Sequence, residues 1–131
     1  MKHKVILVLL DGLNYEVARH ALGHLHAYCA AGRAALYRLE CELPALSRPL
    51  YECIMTGVAP IDSGVVHNDV VRLSKERSIF HYARDAGLTT AAAAYHWMSE
   101  LYNRSPFDPQ RDRHTHAPKL PIQHGLFYWD D

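Results

Sequence analysis

The chain has 131 residues, sets 14 Lys and Arg against 14 Asp and Glu, and is 49% hydrophobic. That length suits one domain or part of one, and that apolar content excludes a disordered chain. Zero net charge leaves no chain-wide basic footprint for a nucleic-acid polymer.

The run "KVILVLLDG" opens the chain with six consecutive apolar residues, Val5 to Leu10, and ends on Asp11 and Gly12. Continuous aliphatic residues without alternation predict a strand covered on both faces, as in a parallel sheet. The run is too short for a signal-peptide core or a bilayer span, so the expectation is a cytoplasmic protein that does not engage membranes. Cys29, Cys41 and Cys53 are odd in number and lack CxxC spacing. They read as reduced, mostly buried thiols and not as a disulfide frame or zinc site.

Residues 14 to 31 carry Val17, Ala18, Ala21, Leu22, Leu25 and Cys29 at helical spacing, with Asn14 as N-cap and Gly32 as the C′ stop. In "ALYRLECEL", Tyr37, Leu39, Cys41 and Leu43 alternate with Arg38, Glu40 and Glu42, which predicts a half-exposed strand. A second helix fits Pro49 to Thr56 before Gly57, and a third fits Ser78 to Ala86 before Gly87. "LTTAAAAY" reads as a buried strand despite the weak β propensity of alanine. The order β-α-β-α-α-β predicts an α/β layered fold. Residues 103 to 121 are rich in proline and charge and lack periodicity, so they read as a long surface loop. The aromatic run "GLFYWDD" then looks like the beginning of an element, the first sign that the domain extends beyond these residues.

Three positions carry chemistry in this layout. Ser47 stands just ahead of Pro49, a residue tolerated in the first helical turn. It reads either as an N-cap or as a nucleophile at a helix start, where free N–H groups and the dipole favour an anion. Asp11, at the carboxyl end of the first predicted strand, is either a turn residue beside Gly12 or a carboxylate ligand for a divalent metal. Asn68 in "PIDSGVVHND" is either a turn residue or an amide donor to a developing oxyanion.

Taken in order, "DG" after the first strand, "PALSRPLYECIMTGVAP" and "SGVVHN" resemble the alkaline phosphatase superfamily, closest to its nucleotide pyrophosphatase/phosphodiesterase branch. The resemblance covers roughly the first 95 residues and matches Asp11 to the metal-binding Asp, Ser47 to the nucleophile and Asn68 to the oxyanion donor. Two departures blur the subfamily. Ser63-Gly64 stands where the family usually has His-Gly, and Ser47 stands where the branch more often has Thr. The resemblance implies a mostly parallel α/β sheet with helices on both faces, and a site with two divalent metal ions, zinc, one of them bound by Asp11 and Ser47. It also implies a phosphoseryl intermediate and a phosphate-ester substrate such as a nucleotide.

The family's further Asp-x-x-x-His and Asp-His motifs are not found. Asp112 and His116 have the right spacing, with His114 nearby, but lie in the predicted loop and read as solvated. His20 and His24 share a predicted helical face without a carboxylate and read as surface residues. Arg48 is either a phosphate contact or an exposed helix residue, and Tyr51 and Tyr95 are either base-stacking or core residues. The chain therefore reads as the N-terminal portion of an alkaline-phosphatase-like catalytic domain spanning residues 1–131, inactive alone, with an incomplete sheet prone to self-association. The alternatives are a phosphomonoesterase or phosphonate hydrolase of the same superfamily, or a non-catalytic α/β module that binds an anion or assembles with a partner.

Overall fold

The computed structural model describes residues 4–130. The chain divides into two compact units, one ending at Glu40 and one beginning at Cys41.

The first unit carries two short helices, α1 (Tyr15–Ala21) and α2 (Gly23–Ala30). Asn14 caps α1 as expected, its side chain accepting the Glu16 N–H at 2.8 Å. The single helix expected over residues 14 to 31 is broken at Leu22, whose backbone leaves the helical region (φ −93°, ψ 55°) just before Gly23. Gly23 is the weak point, because glycine gives up the most backbone freedom on entering a helix. Gly32 closes α2 in the left-handed region (φ 67°), and the Arg33 N–H reaches back to the Tyr28 carbonyl at 2.9 Å.

Neither early strand forms. Residues 4–10 and 34–42 have no strand pairing, and Val5 and Ile6 are 79% and 86% exposed. An extended segment becomes a strand only when another backbone accepts its N–H and C=O groups. Cys41 is exposed and Cys29 and Cys53 are half-buried, so the thiols are less buried than expected.

The second unit holds α3 (Ser47–Thr56), α4 (Pro60–Ser63), α5 (Ile79–Asp85), β1 (Ala91–Tyr95), α6 (Trp97–Tyr102), α7 (Pro109–Asp112), β2 (His114–His116) and β3 (His124–Tyr128). The strands form one sheet in the order β1-β3-β2. β1 runs parallel to β3, and β2 runs antiparallel to it. The sheet is therefore mixed and not mostly parallel. The antiparallel strand comes from the 103–121 segment expected as a loop, which carries α7 and β2.

The sheet has one packed face. Phe127 is fully buried, and Ala92 and Ala94 pack with it against Met55, Val65, Met98, Leu101, Tyr102, Phe107 and Ile122. On the opposite face Leu126 and Tyr128 are 51% and 60% exposed, so helices do not cover both faces of this sheet as expected. Gly125 is a packing requirement. A Cβ there would stand 2.2 Å from the Phe127 ring, closer than any tolerable contact. Among the described residues no helix is long and apolar enough to cross a membrane.

Candidate active site

Helix α3 is defined at both ends by the signals its sequence carries. Leu46, extended (φ −115°, ψ 151°), is the N-cap. Ser47 is thus the first helical residue and not the cap, and it is half-buried. Pro49 falls in the first turn, where its absent N–H costs no intrahelical bond. Gly57 closes the helix in the left-handed region (φ 75°), with its N–H on the Cys53 carbonyl at 2.8 Å.

The opening turn of α3 is held from outside by Asn68. The Arg48 N–H donates to Asn68 Oδ1 at 3.0 Å, across 20 residues of chain. Because a backbone N–H can only donate, the amide must present its oxygen there, which leaves Nδ2 as the amide's donor. Asn68 sits in a turn at 67–69, where the Asp69 N–H reaches His67 Nδ1 at 3.3 Å. Ser47 and Asn68, far apart in sequence, are thus brought to one helix start. Asp11 belongs to the first unit, in a turn that Gly12 completes with φ 73°.

Beneath this turn the structure buries charge. Arg48 is 1% exposed. Its guanidinium donates to Glu100 Oε2 and to the Val70 carbonyl, both at 2.6 Å, and lies 4.9 Å from the centre of the Trp97 ring. The Glu100 carboxylate also accepts the Phe107 N–H at 3.0 Å. Arg48 is therefore neither an exposed helix residue nor a ready phosphate contact. It ties the start of α3, the loop at Val70 and helix α6 into one block. One turn along, buried Glu52 accepts the Tyr102 hydroxyl at 2.6 Å and the Ser74 hydroxyl. Burial, with Glu52 alongside, pushes the Tyr102 pKa far up, so the phenol stays protonated.

Sequence reasoning passed over Glu100, Trp97 and His96, which hold Arg48 and its surroundings. The signal was there in part, since a carboxylate inside the apolar run "WMSELY" needs a buried partner. His96 is 7% exposed, with its ring 4.4 Å from Trp129 and 5.3 Å from Phe107. Burial holds its pKa below the usual value, against the pull of nearby Glu100. Tyr51 and Tyr95 both pack on Trp97, with ring centroids 6.2 and 4.8 Å away, and the Tyr95 hydroxyl donates to Asp130 at 2.7 Å.

The other histidines and carboxylates singled out by spacing have different partners. Asp112 is fully buried and accepts from Arg104 (3.2 Å), Arg111 (2.6 Å) and the Asp108 N–H (3.0 Å). Burial would raise its pKa, but these donors outweigh it and hold the carboxylate below the ordinary range. Asp112 ends α7 while His116 lies on β2, so the two do not share a helical face. His20 Nδ1 is 2.7 Å from the Glu16 carbonyl, and His24 meets the edge of Tyr28, with the helix break between them.

Asp11 and Ser47 offer hard oxygen donors, the right chemistry for a divalent ion. Catalytic zinc sites commonly use three protein ligands. Each residue's donor type suits such an ion, and among the described residues no three His, Cys, Asp or Glu side chains group as a metal site.

No curated protein and no solved structure matches the chain. Residues 5–118 match the family described as Type I phosphodiesterase / nucleotide pyrophosphatase, a span that includes Asp11, Ser47 and Asn68. The chain belongs to the type I phosphodiesterase / nucleotide pyrophosphatase family.

Proposed function

We propose that these residues form the nucleophile half of a hydrolase for phosphodiesters such as nucleotides, with Ser47 attacking phosphorus. The observation that supports this reading is the bond from the Arg48 N–H to Asn68 Oδ1, which ties the Asn68 side chain to the residue after the serine that opens α3.

Ser47 Oγ adds to phosphorus in line with the leaving oxygen. The new Oγ–P bond replaces the P–O bond to the leaving group, giving a phosphoseryl ester that water then cleaves. Asn68 Nδ2 and the Ser47 N–H hold the non-bridging oxygens as charge builds on them. The α3 dipole adds to this at no reorganisation cost. Buried Arg48 does not touch substrate in this reading. It fixes the α3 start, through Glu100 and Val70, so that serine and amide keep their spacing. By the family resemblance Asp11 and Ser47 would each be a ligand of a divalent metal, zinc, completed by further ligands, which would supply nucleophile activation and charge neutralisation. The 131-residue chain by itself is then expected to be inactive.

The test uses the complete protein carrying these residues and a chromogenic phosphodiester. Asn68→Asp keeps the acceptor for the Arg48 N–H and removes the donor. It should lower kcat about 10²–10³-fold with unchanged circular dichroism. Near-normal turnover in Asn68→Asp would reduce Asn68 to a pin for the helix. Robust zinc-supported turnover by the 131-residue chain alone, lost in Asp11→Ala, would show that no further ligands are needed.

A further inference from the structure

His116 and His124 face each other across β2 and β3 with their Nδ1 atoms 2.9 Å apart. The ladder explains why they meet. The Phe127 N–H bonds the Arg113 carbonyl and the Ala117 N–H bonds the Gln123 carbonyl, each at 2.9 Å. In the antiparallel register these odd-numbered positions form the hydrogen-bonded pairs, so His116 and His124 form a non-hydrogen-bonded pair. Such pairs bring the Cβ atoms closest. Both rings lie on the outer face of the sheet, His116 exposed and His124 half-buried, with ring centroids 4.4 Å apart and planes inclined at 58°.

We propose that His116 and His124 chelate a late first-row divalent cation, Cu(II) or Ni(II), through both Nδ1 atoms, clipping β2 to β3. The separation is short enough for one ion to bind both nitrogens. With metal–nitrogen bonds of about 2.0–2.1 Å, two cis ligands at a right angle stand about 2.9 Å apart, and two tetrahedral ligands about 3.3 Å. The observed 2.9 Å is the rings' hydrogen-bond distance and lies near these separations; among late first-row divalent ions nitrogen donors bind Cu(II) most tightly and Ni(II) next, in tetragonal geometry. Chelation requires both rings to turn until their Nδ1 lone pairs converge on one point beside the N–N line, a rotation about the side-chain torsions that the exposed face leaves open. The ring that donates through Nδ1–H changes tautomer and carries its proton on Nε2, so both Nδ1 lone pairs face the ion. Water fills the remaining positions on this open face. Asp112 takes no part, being held by Arg104 and Arg111.

The test is a Cu(II) titration of the 131-residue chain followed by electron paramagnetic resonance, with thermal melts alongside. It is run in a His3→Ala background, because an amino-terminal Met-Lys-His chelates Cu(II) through its terminal amine and His3. Expected are one Cu(II) per chain with nitrogen hyperfine structure from two imidazoles, and a melting temperature raised by the metal. His116→Ala and His124→Ala should each weaken binding by about tenfold or more, the double variant should lose little beyond that, and the melting shift should vanish in all three. Circular dichroism of the metal-free variants checks that the sheet persists. Cu(II) affinity unchanged in both single variants, or no melting shift in the His3→Ala chain, would overturn the proposal. His20→Ala serves as the control substitution and should change nothing.

Discussion

Replacing Glu100 by Gln should cost the second unit about 3 kcal/mol. Glu100 is 3% exposed and Arg48 1% exposed, so water cannot screen the charge left behind. Removing one partner of a buried ion pair typically costs about 3–5 kcal/mol. The lower end applies because the Gln oxygen can still accept from either Arg48 or the Phe107 N–H, though not from both, which bond different carboxylate oxygens, and because the Val70 carbonyl and Trp97 remain beside the guanidinium. Against a typical total stability of about 5–15 kcal/mol, that loss is large. Urea denaturation followed by tryptophan fluorescence reads it directly, with Trp97 beside the site as reporter. The companion Arg48→Met/Glu100→Leu variant removes both charges and should recover most of the loss, since apolar pairs often replace buried ion pairs without penalty. A Glu100→Gln loss below about 1 kcal/mol, the range of exposed pairs, would mean that Arg48 is hydrated in solution and does not hold α3 to α6.

Gly125→Ala should destabilise by about 1–3 kcal/mol through overpacking, because its methyl would collide with Phe127; a melting temperature within error of wild type would show that the ring yields freely. Stability should fall as pH drops below about 6.5, the ordinary histidine value. His96 and His81 have lowered pKa values, mainly through burial, so the unfolded chain takes up protons that the fold refuses. Denaturant midpoints between pH 8 and 5 check this, and His96→Gln should flatten the profile; an unchanged slope would leave His96 without a part in it.

The legibility of this chain follows from where the forces are local. Pro49, Gly57 and Gly87 mark helix ends by backbone geometry alone, so α3 and α5 were readable within one or two residues. The alanine-rich β1 was readable as a strand after the helix stop at Gly87, but it is shorter than expected and one of its faces is exposed instead of buried. Strands depend on partners. Val5–Leu10 has strand composition without a ladder in the structure, whereas His114–His116 has a ladder with little strand composition. Segment 103–121 looked solvated because it is charged, yet Asp112 is buried by answering that charge with Arg104 and Arg111. The helix start at Ser47 could be read from Pro49. The amide pinned beside it could be read only through the family pattern, since no local rule links Asn68 to a residue 20 positions earlier.

The central claim is that Ser47 forms a covalent bond to phosphorus. Its most direct measurement is acid quenching of the complete protein during turnover of a phosphodiester, followed by peptide mass spectrometry. The account predicts a phosphoryl ester on the peptide containing Ser47, at the serine and nowhere else, absent in Ser47→Ala, whose turnover is abolished while its fold is retained. An unmodified Ser47 peptide under steady-state turnover, together with near-normal activity of a folded Ser47→Ala variant, would contradict it and leave Ser47 as the residue that merely opens α3.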